Sequence, residues 1–304
     1  MGGNSSSLVG AKRLDGKTAI VTGCNVGIGR ETVKDLYKSG ARVIMACRDI
    51  EKAQTAAKTI EEEVGDQKDV GQLVIKPLNL CSLKSVRECA ADINKNEPTI
   101  TFLINNAGVM MTPKGETEDG FETQFGVNHL GHFLFTCLLL PKMIQSAPSR
   151  IINVSSSAHQ WGKINFEDLN WKTTDYRARG AYAQSKLANI LFTVELARRL
   201  QDKGVTAYSL HPGVVKTELG RHMDETYFRG ARLMAGVVFG PFFKNPTEGA
   251  MTTLYCTYKD IEDDNGAYFS DCAFKKKFDS EENLKQAKTL WEESCKLVGH
   301  EADI

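Results

Sequence analysis

Residues 17–30, KTAIVTGCNVGIGR, decide the fold of this chain. A strand-length apolar run passes directly into the spacing G-x-x-x-G-x-G, formed by Gly23, Gly27 and Gly29, and a segment of helical periodicity follows. In such a unit the glycines allow a close approach of the backbone, and the N-H groups of the helix N-terminus favour a pyrophosphate. The spacing differs from G-x-G-x-x-G and by itself also fits a tight turn without a ligand. Its position between strand and helix favours dinucleotide binding.

Outward from this unit, apolar runs of strand length alternate with segments of helical periodicity. Between Leu83 and Ile93, for example, apolar residues repeat at three and four positions and share one helix face. We predict strands near 17–22, 41–47, 72–78, 100–105, 149–155, 204–210 and 266–269. We predict helices near 27–39, 50–64, 82–96, 118–146, 180–203, 247–259 and 281–298. This alternation predicts one α/β domain, residues 15–304, on a Rossmann-type doubly wound parallel sheet of about seven strands with helices on both faces.

The composition argues against several classes of protein. The 304 residues carry 38 basic and 38 acidic side chains, whereas nucleic-acid binders rely on an excess of Lys and Arg. A hydrophobic content of 41% excludes disorder for most of the chain. The eight cysteines form no C-x-x-C pair, which predicts reduced thiols and no metal site. His129 and His132 lie three residues apart, but no carboxylate at matching spacing completes a metal set, so we interpret both as packing residues.

No stretch of the sequence has the length of a transmembrane helix. The longest nearly apolar runs, 133–140 and 233–243, are shorter than the roughly 18–20 residues that span a bilayer. Residues 1–14 are predicted to form a flexible tail, and Met1–Ser6 fits M-G-x-x-x-[ST], the pattern for N-myristoylation at Gly2. A plain disordered tail explains the same residues, and one acyl chain anchors only marginally. We expect a cytoplasmic protein, with Gly2 as a candidate site of peripheral membrane contact.

The segment 220–246 interrupts the alternation. It follows a strand, mixes charge with an apolar block and precedes the helix opened by Pro246. Long excursions of this kind are often functional lids, so we predict a substrate loop here. Its apolar part, 233–243, fits a wall over the substrate pocket or a patch that contacts a membrane, and the pocket wall is preferred because ligand pockets are mostly apolar.

The end of the second predicted strand, residues 46–49, is where a contact with the adenosine ribose is expected. An acidic residue there accepts from the 2′-OH and favours NAD, whereas an Arg pairs with a 2′-phosphate. Arg48 therefore predicts NADP(H) as the cofactor, while the neighbouring Asp49 keeps NAD as the alternative.

Tyr182 and Lys186 open a predicted helix, and their spacing of four residues places the phenol and the ammonium on one face. The pKa of a Tyr is about 10, and a nearby Lys⁺ favours the phenolate, so the phenol can exchange a proton with an alcohol or carbonyl oxygen. Alone, such a pair is typical of an exposed helix surface. The run INVSSS, residues 152–157, changes this interpretation because it ends a strand at the same carboxyl edge, where a Ser hydroxyl can hold a substrate oxygen.

With these residues in place, the sequence resembles the short-chain dehydrogenase/reductase family. Six motifs of that family occur in its order between Thr22 and Thr217. They are the glycine motif Thr22–Gly29, Asn105-Asn106-Ala107-Gly108, the helix residue Asn128, the strand-end Ser156, Tyr182 with Lys186, and His211-Pro212-Gly213 with Thr217.

The resemblance implies a role for each of these residues. Tyr182 would be the general acid, Lys186 would lower its pKa and bind the nicotinamide ribose, and Ser156 would donate to the substrate carbonyl. Asn128 would hold a water that relays protons to Lys186. Among the serines at 155–157, Ser156 is chosen as the second Ser of the family's V-S-S pattern. The residues expected to contact the cofactor are Gly23, Asn25, Gly27, Ile28, Gly29, Arg48, Asn79, Leu80, Asn106, Ala107, Gly108, Tyr182, Lys186, Pro212, Gly213, Val215 and Thr217.

Within the family, the sequence is similar to the retinol dehydrogenase branch over about residues 14–300. The similar stretches are ACRD at 46–49, VNHLGHFLFT at 127–136, SKLANILFT at 185–193, HPGVV at 211–215 and LWEESC at 290–295. The resemblance implies hydride transfer between NADP(H) and an apolar aldehyde or ketone, most directly retinal, with lipid aldehydes or steroid-like ketones as the alternative. It also implies a homodimer formed through the helices of Asn128 and Tyr182. A non-catalytic NADP-binding regulator is the alternative of another class, and it has no need of an activated phenol.

Two features depart from the branch. Its vertebrate members mostly carry an N-terminal membrane anchor that this sequence does not show, which weakens the expectation of a membrane location and of very apolar substrates. Where the family usually has Asp-Leu after the third strand, this chain has Asn79 and Leu80. Because Asn still accepts through its side-chain oxygen, we expect adenine binding to survive.

Overall fold

The structure is a computed structural model that describes residues 12–215, 218–231, 233–234 and 243–301. Across these residues, eight strands form one sheet. The strands are β1 (Thr18–Thr22), β2 (Arg42–Cys47), β3 (Gln72–Pro77), β4 (Phe102–Asn105), β5 (Ser149–Val154), β6 (Val205–His211), β7 (Ala267–Ser270) and β8 (Ala273–Lys277). The seven predicted strands are confirmed, and β8 is an addition to them.

The strand order is β3-β2-β1-β4-β5-β6-β7-β8, and the first seven strands are parallel. The direction of winding reverses between β1 and β4, so the loops that leave these two strands open a crevice at their carboxyl ends. In sheets of this type ligands bind in that crevice. The doubly wound parallel sheet predicted from the sequence is therefore confirmed.

Strand β8 pairs with β7 in the antiparallel direction. The two strands are joined by Asp271 and Cys272, which both have positive φ, 54° and 55°. The sequence AFKKK of β8 is mostly exposed and has no buried face, so it lacks the apolar pattern by which the other strands were predicted. Its lysines are typical of edge strands that resist pairing with another chain.

The helices lie on both faces of the sheet. They are α1 (Gly27–Lys38), α2 (Ile50–Val64), α3 (Leu83–Asn96), α4 (Thr123–Phe125), α5 (Gly131–Gln145), α6 (Ala178–Arg199), α7 (Met223–Thr226), α8 (Pro246–Tyr258) and α9 (Glu281–Val298). A π-helical turn, Gly126–Leu130, joins α4 to α5, and a 3-10 helix, Ser157–Trp161, follows β5.

The helix predicted near 118–146 begins only at Thr123. Upstream, the N-H of Thr117 donates to the carbonyl of Phe121 at 2.8 Å, and its hydroxyl accepts the N-H of Phe121, so these residues form a turn instead. The carboxylate of Glu122 then caps the helix by accepting the N-H groups of Gln124 and Phe125 at 2.8 and 2.7 Å.

Two apolar cores lie on opposite faces of the sheet because successive strand residues point to opposite sides. Ile20 packs in the core formed with α3, α5, α6 and α9, whereas the next residue, Val21, packs in the core formed with α1, α2 and α8. Fully buried aromatics anchor each side, Trp291 the first and Phe269 the second. The cores hold the strands rigidly, and the carboxyl-end loops are positioned by them.

At the start of the described chain, Leu14 is buried and its N-H donates to the carbonyl of Ser39 at 2.8 Å. The last residue of the predicted tail, 1–14, is therefore packed against the domain. Residues 1–11, with the candidate acylation site Gly2, lie outside the described residues. None of the helices in the described part of the chain has the length and apolar character needed to cross a membrane.

Candidate active site

The carboxyl ends of the parallel strands bring the predicted site residues to one edge of the sheet. The loops that leave β1, β2, β4, β5 and β6 carry, in this order, Gly23, Arg48, Asn106, Ser156 and Pro212. Asn79 and Leu80 lie in the loop that leaves β3, whereas Asn128, Tyr182 and Lys186 come from the helical segments that follow β4 and β5. The predicted cofactor residues and the predicted catalytic residues thus share one crevice.

The glycine motif forms a tight turn against the loop after β4. Gly23 and Gly27 have φ of 61° and 59°, a conformation that favours glycine. A Cβ on Gly29 would lie 2.6 Å from Nδ2 of Asn106 and 2.7 Å from the carbonyl oxygen of Gly23. Helix α1 begins here without a side-chain cap, because the N-cap residue is Val26. Its first-turn N-H groups therefore suit a pyrophosphate, and the loop fits a dinucleotide.

Arg48 and Asp49 at the end of β2 have different environments. Arg48 is exposed. The carboxylate of Asp49 caps α2 by accepting the N-H of Lys52 at 3.0 Å, and it forms an ion pair with the Lys52 ammonium at 3.0 Å. These interactions, led by the backbone hydrogen bond, lower the pKa of Asp49. Asp49 therefore caps α2, whereas the side chain of Arg48 is exposed at the end of β2.

Asn79, which stands where the family usually has Asp, is held in the loop after β3. Its Oδ1 accepts the N-H of Cys81 at 3.1 Å, and its Nδ2 donates to Glu118 at 3.1 Å. An amide oxygen has two lone pairs, so one remains to accept from an adenine. The neighbouring Leu80 is buried against Gly131 of α5.

The loop after β4 is tied to the end of β1 by Thr22 and Asn106. The hydroxyl of Thr22 accepts the N-H groups of Asn106 and Ala107, both at 3.0 Å. Nδ2 of Asn106 donates to the carbonyls of Thr22 and Gly23 at 2.9 and 3.1 Å. The side chain of Asn106, predicted as a cofactor contact, therefore clamps the glycine loop, a role that its motif did not reveal.

The structure distinguishes the serines that follow β5. The hydroxyl of Ser155 is buried and donates to the carbonyl of Lys186 at 2.7 Å, so it holds α6 in place. Ser156 is half-buried, its Oγ accepts the N-H of Ala158 at 3.2 Å, and the interaction of its hydroxyl with the phenol of Tyr182 lowers the pKa of that phenol. Among these serines, Ser156 is therefore the one whose hydroxyl influences the phenol of Tyr182.

Tyr182 and Lys186 are both buried in the first turns of α6. The Lys186 ammonium lies 5.8 Å from the centre of the Tyr182 ring. Burial raises the pKa of Tyr182 to about 12 even though the hydrogen bond with Ser156 lowers it. Burial also lowers the pKa of Lys186 to about 8. Desolvation, which disfavours both charged forms, is therefore the largest influence on the pKa values of this pair.

The buried Lys186 ammonium has more hydrogen-bond donors than acceptors among the described residues. Its Nζ donates to the carbonyl of Val154 at 3.1 Å, and this is the one acceptor found for it among the described residues. A primary ammonium has three N-H donors, so two remain for a ligand. Hydroxyl groups of a nicotinamide ribose are acceptors of the required kind, and this buried cation fits such a cofactor.

Asn128 lies in the π-helical turn before α5, and its side chain is hydrogen-bonded to the loop after β4. Its Nδ2 donates to the carbonyl of Val109 and to Oγ of Ser185, both at 2.9 Å, and its Oδ1 accepts the N-H of Val109 at 2.8 Å. A Cβ on Gly108 would lie 3.2 Å from Oδ1 of Asn128 and 3.5 Å from Nζ of Lys186. The predicted residues Gly108, Asn128 and Lys186 are thus brought together.

The loop after β6 begins with buried Pro212, and Gly213 follows with φ of 94°, where a side chain would be strained. Val215 pairs with Lys244 in an isolated parallel bridge. The predicted cofactor residue Thr217 lies outside the described residues.

Gly249 of α8 was missed by the sequence analysis. A Cβ on it would lie 2.7 Å from Val215 and 2.9 Å from Ile28, so a glycine here lets the loop after β6 approach the glycine motif. The hydroxyl of Thr247 also donates to Glu31 of α1 at 3.1 Å. No sequence signal distinguishes Gly249 from other helical glycines, because the close approach joins segments that are far apart in the chain.

Met111, in the loop after β4, was also missed. It has φ of 51°, its N-H donates to the side chain of Gln124 at 2.9 Å, and its carbonyl accepts the hydroxyl of Thr226 in α7. The hydroxyl of Tyr227 lies 3.2 Å from the sulfur of Met111. The start of the predicted substrate loop, 220–246, therefore contacts the loop that follows the Asn-Asn-Ala-Gly motif.

Several large apolar side chains of this segment are exposed, although Ala231 is buried. Tyr227, Phe228 and Met234 are about half exposed, and Leu233 is 74% exposed. Residues 235–242 of the block predicted as pocket wall or membrane patch lie outside the described residues.

Within the described ranges, no group of three His, Cys, Asp or Glu side chains is arranged to hold a metal. His129 packs between aromatic rings, 5.1 Å from Phe125 and 5.8 Å from Phe192, as expected for a packing residue. All eight cysteines are free thiols, and Cys24 and Cys47 lie 3.6 Å apart in the interior.

Comparison with known proteins places this arrangement in a family. The family model for the short chain dehydrogenases matches residues 17–227, which include the glycine motif and the Ser156, Tyr182 and Lys186 cluster. The chain is a short-chain dehydrogenase. It is an oxidoreductase that acts on CH-OH donors with a nicotinamide cofactor, and the resemblance stated from its motifs is confirmed.

Relatives of this short-chain dehydrogenase include retinol dehydrogenases. It is 49% identical to retinol dehydrogenase 13 from Homo sapiens over 290 residues, which cover 95% of this chain and 86% of that protein. It is 47% identical to retinol dehydrogenase 14 from Mus musculus over 293 residues, 94% of this chain and 87% of that protein. Among solved structures, an uncharacterized protein from Mycobacterium paratuberculosis is 34% identical, with a TM-score of 0.78 and full coverage of both chains. This short-chain dehydrogenase is therefore retinol dehydrogenase-like.

Proposed function

We propose that this protein interconverts an apolar aldehyde or ketone and its alcohol with NADP(H), and that retinal and retinol are its substrate pair. The observation that carries the proposal is the meeting of Ser156, Tyr182 and Lys186 at the carboxyl edge of the sheet. The identity of 49% with a retinol dehydrogenase supports the substrate class. When bound, the nicotinamide supplies the hydride, and the residues of the chain supply orientation and the proton.

Tyr182 acts as the general acid in carbonyl reduction. A pKa of about 12 keeps the phenol protonated at neutral pH, and a general acid must hold its proton before the reaction. The Ser156 hydroxyl influences the pKa of this phenol, so the two groups lie near each other and a carbonyl oxygen between them receives hydrogen bonds from both hydroxyls. The developing alkoxide is stabilised by these two donors, which are in place before the reaction.

Lys186 and Asn128 complete the proton path. One N-H group of the Lys186 ammonium donates to the carbonyl of Val154, and the other two bind the nicotinamide ribose. The positive charge of Lys186 stabilises the phenolate that remains on Tyr182 after proton transfer. Asn128, held by Val109 and Ser185, positions a water that returns a proton to Lys186.

Arg48 is expected to select NADP(H) over NAD(H). Replacing Arg48 by Ala removes the cation that pairs with the 2′-phosphate, and a charge-assisted hydrogen bond is worth about 1.5–3 kcal/mol, so the Kd of NADPH rises by roughly 10- to 100-fold. The Kd of NADH stays the same because this nucleotide has no 2′-phosphate. Quenching of protein fluorescence by each nucleotide measures both constants.

Lys58→Ala is the matched control for this prediction, because Lys58 is an exposed cation on the same α2 but farther from the end of β2. It removes the same charge and is expected to leave both Kd values unchanged. Equal Kd values of NADH and NADPH in the unmodified protein would contradict the assignment of NADP(H).

The substrate class is tested by NADPH consumption with all-trans-retinal, long-chain aldehydes and steroid ketones, and with NADH in parallel. Turnover of retinal with NADPH is the expected result. Turnover of a lipid aldehyde or steroid ketone alone would replace retinal but retain the chemistry. Binding of NADPH with no turnover of any carbonyl would favour the non-catalytic regulator.

A further inference from the structure

His132 connects two parts of the site, and the proposed mechanism gives it no role. It lies in the first turn of α5 and is 2% exposed. Its Nε2 lies 2.8 Å from the hydroxyl of Thr22 at the end of β1, and its Nδ1 lies 3.1 Å from the carbonyl oxygen of Asn128. One imidazole thus bridges the strand that leads into the glycine motif and the turn that carries Asn128.

The directions of these two hydrogen bonds follow from counting protons. A carbonyl oxygen only accepts, so Nδ1 of His132 carries the hydrogen and donates to Asn128. Burial lowers the pKa of His132 to about 4, so the ring is neutral at pH 7 and its Nε2 accepts.

The hydroxyl of Thr22 gives the same answer independently. It already accepts the N-H groups of Asn106 and Ala107, which occupy both of its lone pairs. Its single hydrogen is therefore directed to Nε2 of His132. Both arguments therefore give the same directions: the hydroxyl of Thr22 donates to His132, and His132 donates to the carbonyl of Asn128.

We propose that His132 is a positioning residue that holds the nucleotide-binding loops and Asn128 in a common arrangement. The expected effect on kcat, which acts through Asn128, rests on the proposed function, whereas the expected effect on nucleotide binding does not. The imidazole is not a proton path, because the chain of hydrogen bonds ends at the backbone N-H groups that donate to Thr22. Its contribution is geometric.

Each side of the imidazole supports a different part of the site. On the Thr22 side, the loop after β4 packs closely on the glycine motif, since a Cβ on Gly23 would lie 2.7 Å from Cβ of Ala107. A movement of Thr22 therefore disturbs nucleotide binding. On the other side, a movement of Asn128 changes its hydrogen bonds to Val109 and Ser185, and through them the surroundings of the Lys186 ammonium.

Two amide variants separate these effects. In His132→Asn, the side-chain N-H takes the place of Nδ1 and still donates to the carbonyl of Asn128. The side chain is too short to accept the hydrogen of the Thr22 hydroxyl. In His132→Gln, the longer amide accepts from Thr22 but loses the donor to Asn128. We expect His132→Asn to raise the Kd of the nicotinamide nucleotide about tenfold with a smaller effect on kcat, and His132→Gln to lower kcat about tenfold with little change in Kd.

The matched control is His129→Gln. His129 is also fully buried and neutral, but its Nε2 lies 2.9 Å from the hydroxyl of Ser294 in α9, away from the nucleotide loops. This variant is expected to lower Tm while Kd and kcat stay unchanged. If both His132 variants only lowered Tm, or changed Kd and kcat in the same way as each other, the positioning role would be wrong.

The nucleotide Kd also separates this inference from the proposed function. Fluorescence titration with NADPH and NADH needs no carbonyl substrate, so the His132→Asn result stands even if retinal and the other carbonyls are not reduced. Failure of the unmodified protein to turn over any carbonyl would overturn the proposed function. An unchanged Kd in His132→Asn would overturn the nucleotide half of the positioning role.

Discussion

Tyr182→Phe is expected to lower kcat for carbonyl reduction by about 10²- to 10⁴-fold, the range contributed by a positioned general acid. The ring stays buried at the start of α6, but the hydroxyl that meets Ser156 is lost. Because the proton is transferred only in the transition state, the Kd of NADPH should change by no more than about twofold. Stopped-flow or steady-state NADPH oxidation gives kcat, and fluorescence titration gives Kd.

Tyr208→Phe is the control for this experiment. Tyr208 is a buried tyrosine of β6, and burial raises its pKa to about 12 as well, but its hydroxyl donates to the carbonyl of Ile261 at 2.9 Å. Removing it takes one hydrogen bond from the carbonyl of Ile261, which still accepts the N-H of Asp264 at 3.0 Å, so we expect a loss of about 0.5–1.5 kcal/mol in the free energy of unfolding without an effect on the site. Retention of more than a tenth of kcat in Tyr182→Phe would show that another group supplies the proton.

The fold was predictable because apolar periodicity and glycine spacing are local properties. The run 17–22 and the motif that follows specify a strand, a turn and a helix from adjacent residues, and the same alternation repeats to the last helix. The carboxyl-edge rule then places Ser156 and Tyr182 near one another without knowledge of any contact. Their juxtaposition in the structure therefore follows from topology, not from sequence distance.

What the sequence did not reveal depends on contacts between distant segments. Strand β8 is stabilised by pairing with β7, although its exposed lysines lack an apolar face. A glycine is needed at position 249 because a Cβ there would lie too close to the side chains of Val215 and Ile28. The high pKa of Tyr182 results from burial by several elements, whereas the sequence shows only that Lys186 is four residues away.

The histidines of α5 and the preceding turn illustrate the same limit. His129 and His132 were both interpreted as packing residues because no carboxylate at matching spacing completes a metal set with them. His129 fits that interpretation, with aromatic neighbours and a bond to Ser294. His132 differs only in its partners, Thr22 and Asn128, which are separated from each other by more than a hundred residues. Spacing within one helix does not carry that information.

Gly29→Ala is expected to weaken nucleotide binding by roughly 10- to 100-fold and to lower the free energy of unfolding by about 1–3 kcal/mol. The new Cβ would lie 2.7 Å from the carbonyl oxygen of Gly23 and 2.8 Å from Cα of Cys24. Both are backbone atoms, which do not move as easily as the end of a side chain. Helix α1 must therefore shift away from the turn, and the N-H groups that face the pyrophosphate move with it.

Gly220→Ala separates this effect from a general cost of replacing glycine. At Gly220 the nearest atom to a new Cβ is the sulfur of Met223 at 3.4 Å, the end of a flexible side chain, and no positive φ is required. This variant should keep the Kd of NADPH and Tm of the unmodified protein. If Gly29→Ala bound NADPH as tightly as Gly220→Ala, the pyrophosphate would not lie at the N-terminus of α1. The orientation of the cofactor, and with it the position of the nicotinamide beside Tyr182, would then have to be assigned differently.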